Sequence, residues 1–308
     1  MRHRLPLVVL ILALSACRAP AADMVAEERP LGAAAQLGAA RVLSIHHLRG
    51  GRDFGGLSGL SLDGDRVTAI SDRGQVARFR MTTDHTGRPL AFADLEMAPL
   101  GGLGGGKEDS DAEEILRLPQ GWLVSFERRH RLLSYGDALS DRPQVLDPPG
   151  GLAEQPENGG VEAMARLQDG RLLLLSEDGV DPQGRGLAWV GGPGGWHALS
   201  YVRSGPFQPT AAAQIPGGDL LVLERSFSLL TGSASRLVRV SEAQVRPGAE
   251  MRGQVVYTLA PPLLVDNYEG LAVRRRADGR AVAYVLSDDN FNPLQSTLMM
   301  AVELPEDF

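Results

Sequence analysis

The sequence predicts an all-β fold, a single β-propeller, and three observations carry that reading. One unit recurs five times: a short apolar strand, a Gly turn, a second apolar strand and a terminal acid. The turn glycines Gly64, Gly121, Gly170, Gly218 and Gly279 recur about every 50 residues, with further strand-like runs after each hairpin, which is the arithmetic of a four-stranded blade. Finally, 37 Gly and 20 Pro punctuate the chain too densely for helices, and few windows show a 3.6-residue period.

Taken in order, the chain opens on Arg2 and Arg4, an apolar run Leu5–Ala16, and Leu14-Ser15-Ala16-Cys17, the layout of an export signal. The run is shorter than the about 20 residues a spanning helix needs. Leu14-Ser15-Ala16-Cys17 resembles the lipobox of bacterial lipoproteins, which implies lipidation of Cys17, a membrane anchor rather than a span, and, with Arg18 next, the outer membrane. The alternative is an ordinary secretory signal with a chance cysteine. Residues 1–17 are thus expected to be a lipoprotein signal peptide, 18–40 a flexible tether lacking alternation, and 41–308 the propeller. The expected product is an exported, periplasm-facing monomer.

Composition narrows the partners. With 31 Lys+Arg against 38 Asp+Glu the formal net charge is -7, so no basic footprint for nucleic acid exists. A single cysteine excludes an intramolecular disulfide and a cysteine-cluster zinc site. No organic cofactor is expected.

The first unit runs from Leu57 to Asp72, the second from Ala112 to Glu127, the third from Val161 to Glu177, the fourth from Pro209 to Glu224 and the fifth from Tyr268 to Asp288. Asp-Gly between apolar runs in several of them is a hairpin signal. The last unit supplies three strands, and Arg41–Leu48 is a stray strand of the right length to complete that blade and close the ring. Five blades result, or six if 230–262 hides a degenerate unit.

Antiparallel pairing places the start of strand one and the end of strand two on one rim. The starts are Ser58, Glu113, Glu162, Thr210 and Glu269; the ends are Asp72, Glu127, Glu177, Glu224 and Asp288. Eight of these ten positions are carboxylates. Crowded carboxylates must bind cations, pair with bases or take up protons. Arg73, Arg128, Arg225 and Lys107 lie beside them, so three readings stand open: structural ion pairing, an oxygen-ligated metal such as Ca²⁺, or direct contact with substrate. Asp109 and Asp111, and the loop Ser287-Asp288-Asp289-Asn290-Phe291-Asn292-Pro293, add oxygen ligands to that rim or form a solvated charge run and an Asx turn. Gly104-Gly105-Gly106-Lys107 lacks the nucleotide-loop ending. Gly56-Leu57-Ser58-Gly59 falls short of a hydrolase elbow and begins a strand. His46, His47, His85, His130 and His197 show no ligand spacing, although His130 follows Glu127 closely enough to approach the rim.

The strings FGGLSGLSL…AISDRGQ, DAEEILRLPQGWLVSFER, GGVEAMARLQDGRLLLLSED, NYEGLAV and YVLSDDNFNPLQSTLMM resemble the bacterial esterase-like phytase domain family over about residues 41–304. The resemblance implies an exported propeller that hydrolyses phosphoesters or esters. The Asp-rich and Lys/Arg/Tyr phosphate-binding strings of calcium-dependent propeller phytases are absent, and Thr210 replaces an acid. The expectation is a metal-assisted hydrolase of a small phosphorylated or ester substrate. Glu113, Glu162, Glu177, Glu269, Asp72, Asp288 and Asp289 would hold the metal, and Arg73, Arg128 and Arg225 would orient phosphate beside Glu162 and Glu269. The rivals are a non-catalytic ligand- or protein-binding propeller of the cell envelope, and an ester hydrolase using Ser58.

Overall fold

The computed structural model describes residues 24–31, 40–192, 194–228 and 232–306. The expected signal peptide, with Cys17, lies outside the described residues. Two strands, β1 (Val25–Arg29) and β2 (Arg41–Arg49), precede the blades. Blade 1 comprises β3 (Leu57–Asp63), β4 (Arg66–Ser71), β5 (Gln75–Thr83) and β6 (Pro89–Pro99). A four-residue helix α1 (Lys107–Ser110) leads into blade 2, made of β7 (Ala112–Leu118), β8 (Gly121–Phe126), β9 (Arg131–Tyr135) and β10 (Gln144–Leu146). Blade 3 holds β11 (Val161–Arg166), β12 (Leu172–Val180), β13 (Gly186–Gly192) and β14 (Gly195–Tyr201). Blade 4 holds β15 (Gln208–Gln214), β16 (Leu220–Ser228) and β17 (Gly232–Val240); the two-residue β18 (Glu250–Met251) then crosses to blade 3 before β19 (Gln254–Leu259) completes blade 4. Blade 5 holds β20 (Asn267–Arg275), β21 (Ala281–Asp288) and β22 (Leu298–Glu303), with β2 as its fourth strand.

These five sheets form a ring in which β3, β7, β11, β15 and β20 pack side by side around the axis. The alternative of a sixth blade finds no counterpart among the described residues. Its two strand-like runs are the outer strands β17 and β19 of blade 4, and the polar stretch between them is a short 3-10 turn at Glu242–Gln244 and β18.

Closure follows the expectation: β2 pairs antiparallel with β22, joining the start of the domain to its end. The tether expectation needs amendment, because β1 within 18–40 adds a fifth strand on β2. No apolar alternation announces β1. It is held by its ladder and by charge contacts, with Glu27 on Arg49, Glu28 on Arg88, and Arg29 on His47.

Each strand pattern buries its apolar side chains against the neighbouring blade, so the core is five clusters, one per interface. Examples are Ile70, Val76, Ile115 and Val124 between blades 1 and 2, and Ala163, Leu173, Val222 and Val238 between blades 3 and 4. Burying one such side chain stabilises by about 1.5–3 kcal/mol. The hairpin turns obey local sterics: Gly64, between β3 and β4, has φ 58, a conformation glycine adopts without Cβ strain.

Ile45 on β2 is fully buried in the cluster that joins blades 4 and 5. Ile45→Ala is expected to cost about 2–5 kcal/mol in urea unfolding, whereas Glu28→Ala on the exposed β1 should cost under about 1 kcal/mol. Equal effects would show that the ring is not closed through β2.

Candidate functional site

All five inner strands break register at one place. Leu57 pairs with Ser71 and Gly59 with Ile70, leaving Ser58 as an extra residue. The same bulge isolates Glu162, Thr210, Glu269 and the Glu113-Glu114 step. A bulge bends its strand and re-aims a side chain. Here it acts on the five residues that the repeat placed at the start of strand one.

The ends of strand two follow one residue later. The backbone N–H of Asp72 donates to Gly56 (3.0 Å), that of Glu127 to Asp111 (2.9 Å) and that of Glu177 to Gly160 (2.9 Å). In the same register Arg225 stands opposite Gln208 and Asp288 opposite Asn267. The fourth blade therefore presents Arg225, not Glu224, at the rim. A slip of one residue sends a side chain to the other face of a strand. Glu224 accordingly points between blades 3 and 4, where Tyr201 donates to it (2.6 Å) and Arg236 pairs with it.

Seven acids remain at these ten positions: Glu113, Glu162, Glu269, Asp72, Glu127, Glu177 and Asp288. Asp111, two residues before Glu113 and buried, joins them. Asp109 instead faces outward on Arg129 at 2.5 Å.

The bases offset only part of this charge. Arg225 donates to Glu177 (2.8 Å), lies 3.1 Å from Glu269 and binds Asn267, which itself donates to Glu269 (2.8 Å). Burial works against its charge, but Glu269, Glu162 and Glu177 hold its guanidinium more basic than usual. Arg128, in a left-handed backbone conformation at φ 56, pairs with Asp111 at 2.5 Å and Glu157 at 3.2 Å. Lys107 reaches Asp72 at 3.3 Å and Asp111 at 3.7 Å.

The surplus appears as raised carboxyl pKa values, that is, as weakened acids. Burial, then Glu127 and Glu269, push Glu113 far above the usual carboxylate range. Burial and the neighbouring Glu177 and Glu113 do so for Glu162, since like charges that close favour its protonated form. Asp288 is raised by burial and Glu269. Glu127 rises from 4.5 to about 7 through burial, Asp111 and Glu177.

Two groups of oxygens could hold a metal ion: Glu127, Glu162 and Glu177, and Asp111, Glu113 and Glu127, each with its oxygens within 4.8 Å of one another. Asp72 adds a buried Oδ1 with no hydrogen-bond partner among the described residues. Asp289 has another occupation: Oδ1 accepts from Gly56 (2.8 Å) and Phe291 (3.0 Å), and Oδ2 from Thr297 (3.0 Å).

That loop is strained, with Asn290 and Phe291 at φ 48 and 49, a cost sustained only where surroundings over-determine the backbone. Phe291 lies so close to Gly56 that a Cβ there would sit 2.3 Å from its ring. The exposed Arg73 guanidinium stacks 3.4 Å from the Phe291 ring centre. It makes no hydrogen bond or ion pair with a described residue. Thr210 bonds the Tyr268 carbonyl (3.3 Å), Ser58 is buried without a base beside it, and His130 rests on the Pro156 carbonyl (2.9 Å). Sequence reasoning ranked Asp111 low and missed Asn267, Gln208 and Glu114. The first three sit two residues before a repeated rim position, and that offset was the available signal.

The family model described as phytase-like, esterase-like activity of phytase, matches residues 52–291. No curated protein matches the chain. Similar solved structures include an endo-arabinase from Bacteroides thetaiotaomicron (11% identity, 82% of this chain and 93% of that one, TM-score 0.48). A thermostable family-43 glycoside hydrolase (10%, 80% and 89%, 0.47) and a glucose dehydrogenase (12%, 86% and 98%, 0.45) are also similar.

Raised carboxylates fix the sign of a pH effect. Between pH 4.5 and about 7 the folded chain keeps the Glu127 proton that the unfolded chain releases, so stability falls as pH rises through that window. With chelator present, the melting temperature should be lower at pH 8 than at pH 5, and Glu127→Gln should flatten the slope. A melting temperature that rises over this range would refute the surplus of charge.

Proposed function

The chain belongs to the phytase-like family, and from that membership and its carboxylate rim we propose that it is a metal-assisted hydrolase of small phosphate esters. The observation that carries the reading is the convergence of the bulged acids with a stacked, unpaired guanidinium, Arg73, at the same mouth.

The donor set suits a hard cation, since all its ligands are oxygens, and Asp72, on the same rim, keeps a buried Oδ1 without a partner among the described residues. Glu113, Glu127, Glu162, Glu177 and Asp72 would hold it, with Glu269 and Asp288 beside them; Ca²⁺ is the choice consistent with carboxylate-only ligation. Such a cation, when bound, polarises a phosphoryl oxygen and lowers the pKa of its water. Glu127, titrating near neutrality, suits proton transfer to or from water and the leaving oxygen. Arg73 offers a free planar fork for phosphate. Arg225 and Arg128, already in ion pairs, hold the carboxylates in place. Asp289 fixes the loop that carries Phe291 under Arg73.

The ion pairs of Arg225 and Arg128 also favour a second reading, a non-catalytic binding propeller whose charges organise the rim. Hydrolysis of a phosphomonoester panel, phytate and p-nitrophenyl phosphate included, separates the two. Turnover should depend on added Ca²⁺, vanish with EDTA, fall at least about 100-fold in Glu162→Gln/Glu269→Gln, and show a raised KM with little change in kcat in Arg73→Gln. No turnover under any condition, with thermal stability independent of calcium, would support the binding propeller instead.

We also propose export as a lipoprotein anchored through Cys17. Cys17→Ser should move the chain from the membrane fraction to the soluble fraction, and retention on the membrane would refute the anchor.

A further inference from the structure

A cavity opens away from the carboxylate rim. It is a cleft of about 1110 Å³ between blades 1 and 2, lined by Arg66, Arg78, Arg80, Glu96, Arg117 and Trp122 among others. It sits at the far end of β3, about 16 Å along the strand from Ser58 at a rise of about 3.3 Å per residue.

Strand length explains why the blades part here. The outer strands of blade 1, β5 and β6, have 9 and 11 residues, whereas the corresponding β9 and β10 of blade 2 have 5 and 3. Near the rim the two faces meet through Ile70, Val76, Ile115 and Val124. Farther along the same face of blade 1, cross-strand neighbours are polar: Thr68 opposite Arg78, and Arg66 opposite Arg80.

Two of the four guanidiniums are spoken for. Arg80 pairs with Asp65, and Arg117 pairs with Asp137 and stacks on Trp122. Arg78 is different: it is half-buried opposite Glu96 on the next strand, and burial acts against its charge, Glu96 favours it and the nearby Arg66 opposes it. Arg66 has no partner among the described residues. Desolvating a cation is costly, and Arg is suited to bind phosphate or carboxylate in a planar fork. The acids Asp63, Asp94 and Asp137 are exposed at the mouth, where carboxylates serve as acceptors for hydroxyl groups.

We propose that this cleft is a second binding site, which takes a small hydroxylated anion, a sugar phosphate or a sugar acid, with its anionic group against Arg78 and Arg66. The volume lies just above the about 300–1,000 Å³ of most small-molecule sites and exceeds what a bare ion needs. The site shares no residue with the carboxylate rim, so it stands whether or not that rim is catalytic.

Calorimetric titration of the mature chain with glucose 6-phosphate, glucuronate, glucose and inorganic phosphate tests this. Glucose 6-phosphate or glucuronate should bind more tightly than glucose and inorganic phosphate, and whichever binds tighter identifies the preferred acid. Arg78→Gln should weaken that binding about tenfold or more, with Arg78→Lys restoring part of it. Arg66→Gln, at an exposed position without a protein partner, should weaken it severalfold and keeps the test open if the Arg78 variants do not fold. Binding unchanged in these variants, inorganic phosphate binding as tightly as the sugar anions, or no binding by any of the four would overturn the proposal.

Discussion

One extra residue in each inner strand sets the chemistry of the rim. Without a bulge, residues 58, 113, 162, 210 and 269 would continue the alternation of their strands. With it, three glutamates turn toward the space that the ends of strand two also reach. Bulges disrupt a ladder locally and persist where the rest of the sheet holds them. Five apolar interfaces between blades do that here, and they lie directly beneath the charged rim.

The charge balance follows from this geometry. Like charges that close cannot all remain ionised, so each acid in excess of the local arginines and lysines takes a proton or a cation. Arg225 settles two acids from neighbouring blades, Glu177 and Glu269, and Asn267 tightens the same knot. Replacing such a group would leave buried charge uncompensated, which costs more than the pair contributes when intact. Arg225 is thus a support of the rim as much as a member of it.

Much of the fold was legible because it rests on local chemistry. Asp-Gly turns, apolar runs of strand length and their repetition are properties of consecutive residues, and the stray strand at Arg41–Leu48 had to pair somewhere. The acids at the strand ends were legible for the same reason. What the pattern hid depends on pairing across strands. The placement of Arg225 over Glu224 is a one-residue register effect that no single strand records. β1 carries no apolar signal because charges and its ladder hold it. The cleft beside Arg78 depends on how far two different blades extend, a comparison that only the assembled ring makes.

The fourth blade then becomes informative through its departures. With Thr210 and Arg225, the fourth blade alone carries no acid at either rim position, so the rim loses five-fold equivalence and acquires a direction. Blades 2 and 3 contribute Asp111, Glu113, Glu127, Glu162 and Glu177, the acids whose oxygens approach one another most closely. Blade 4 sets a basic group against one side of that cluster, and blade 1 sets Arg73 at its mouth. A symmetric ring of acids would repel any phosphate that approached it, whereas this one is electronegative at one pole and offers guanidinium at another. In the hydrolase reading, that polarity lets one small site hold a cation and an anion side by side, and it requires the fourth repeat to lack the rim acid that each of the other four keeps.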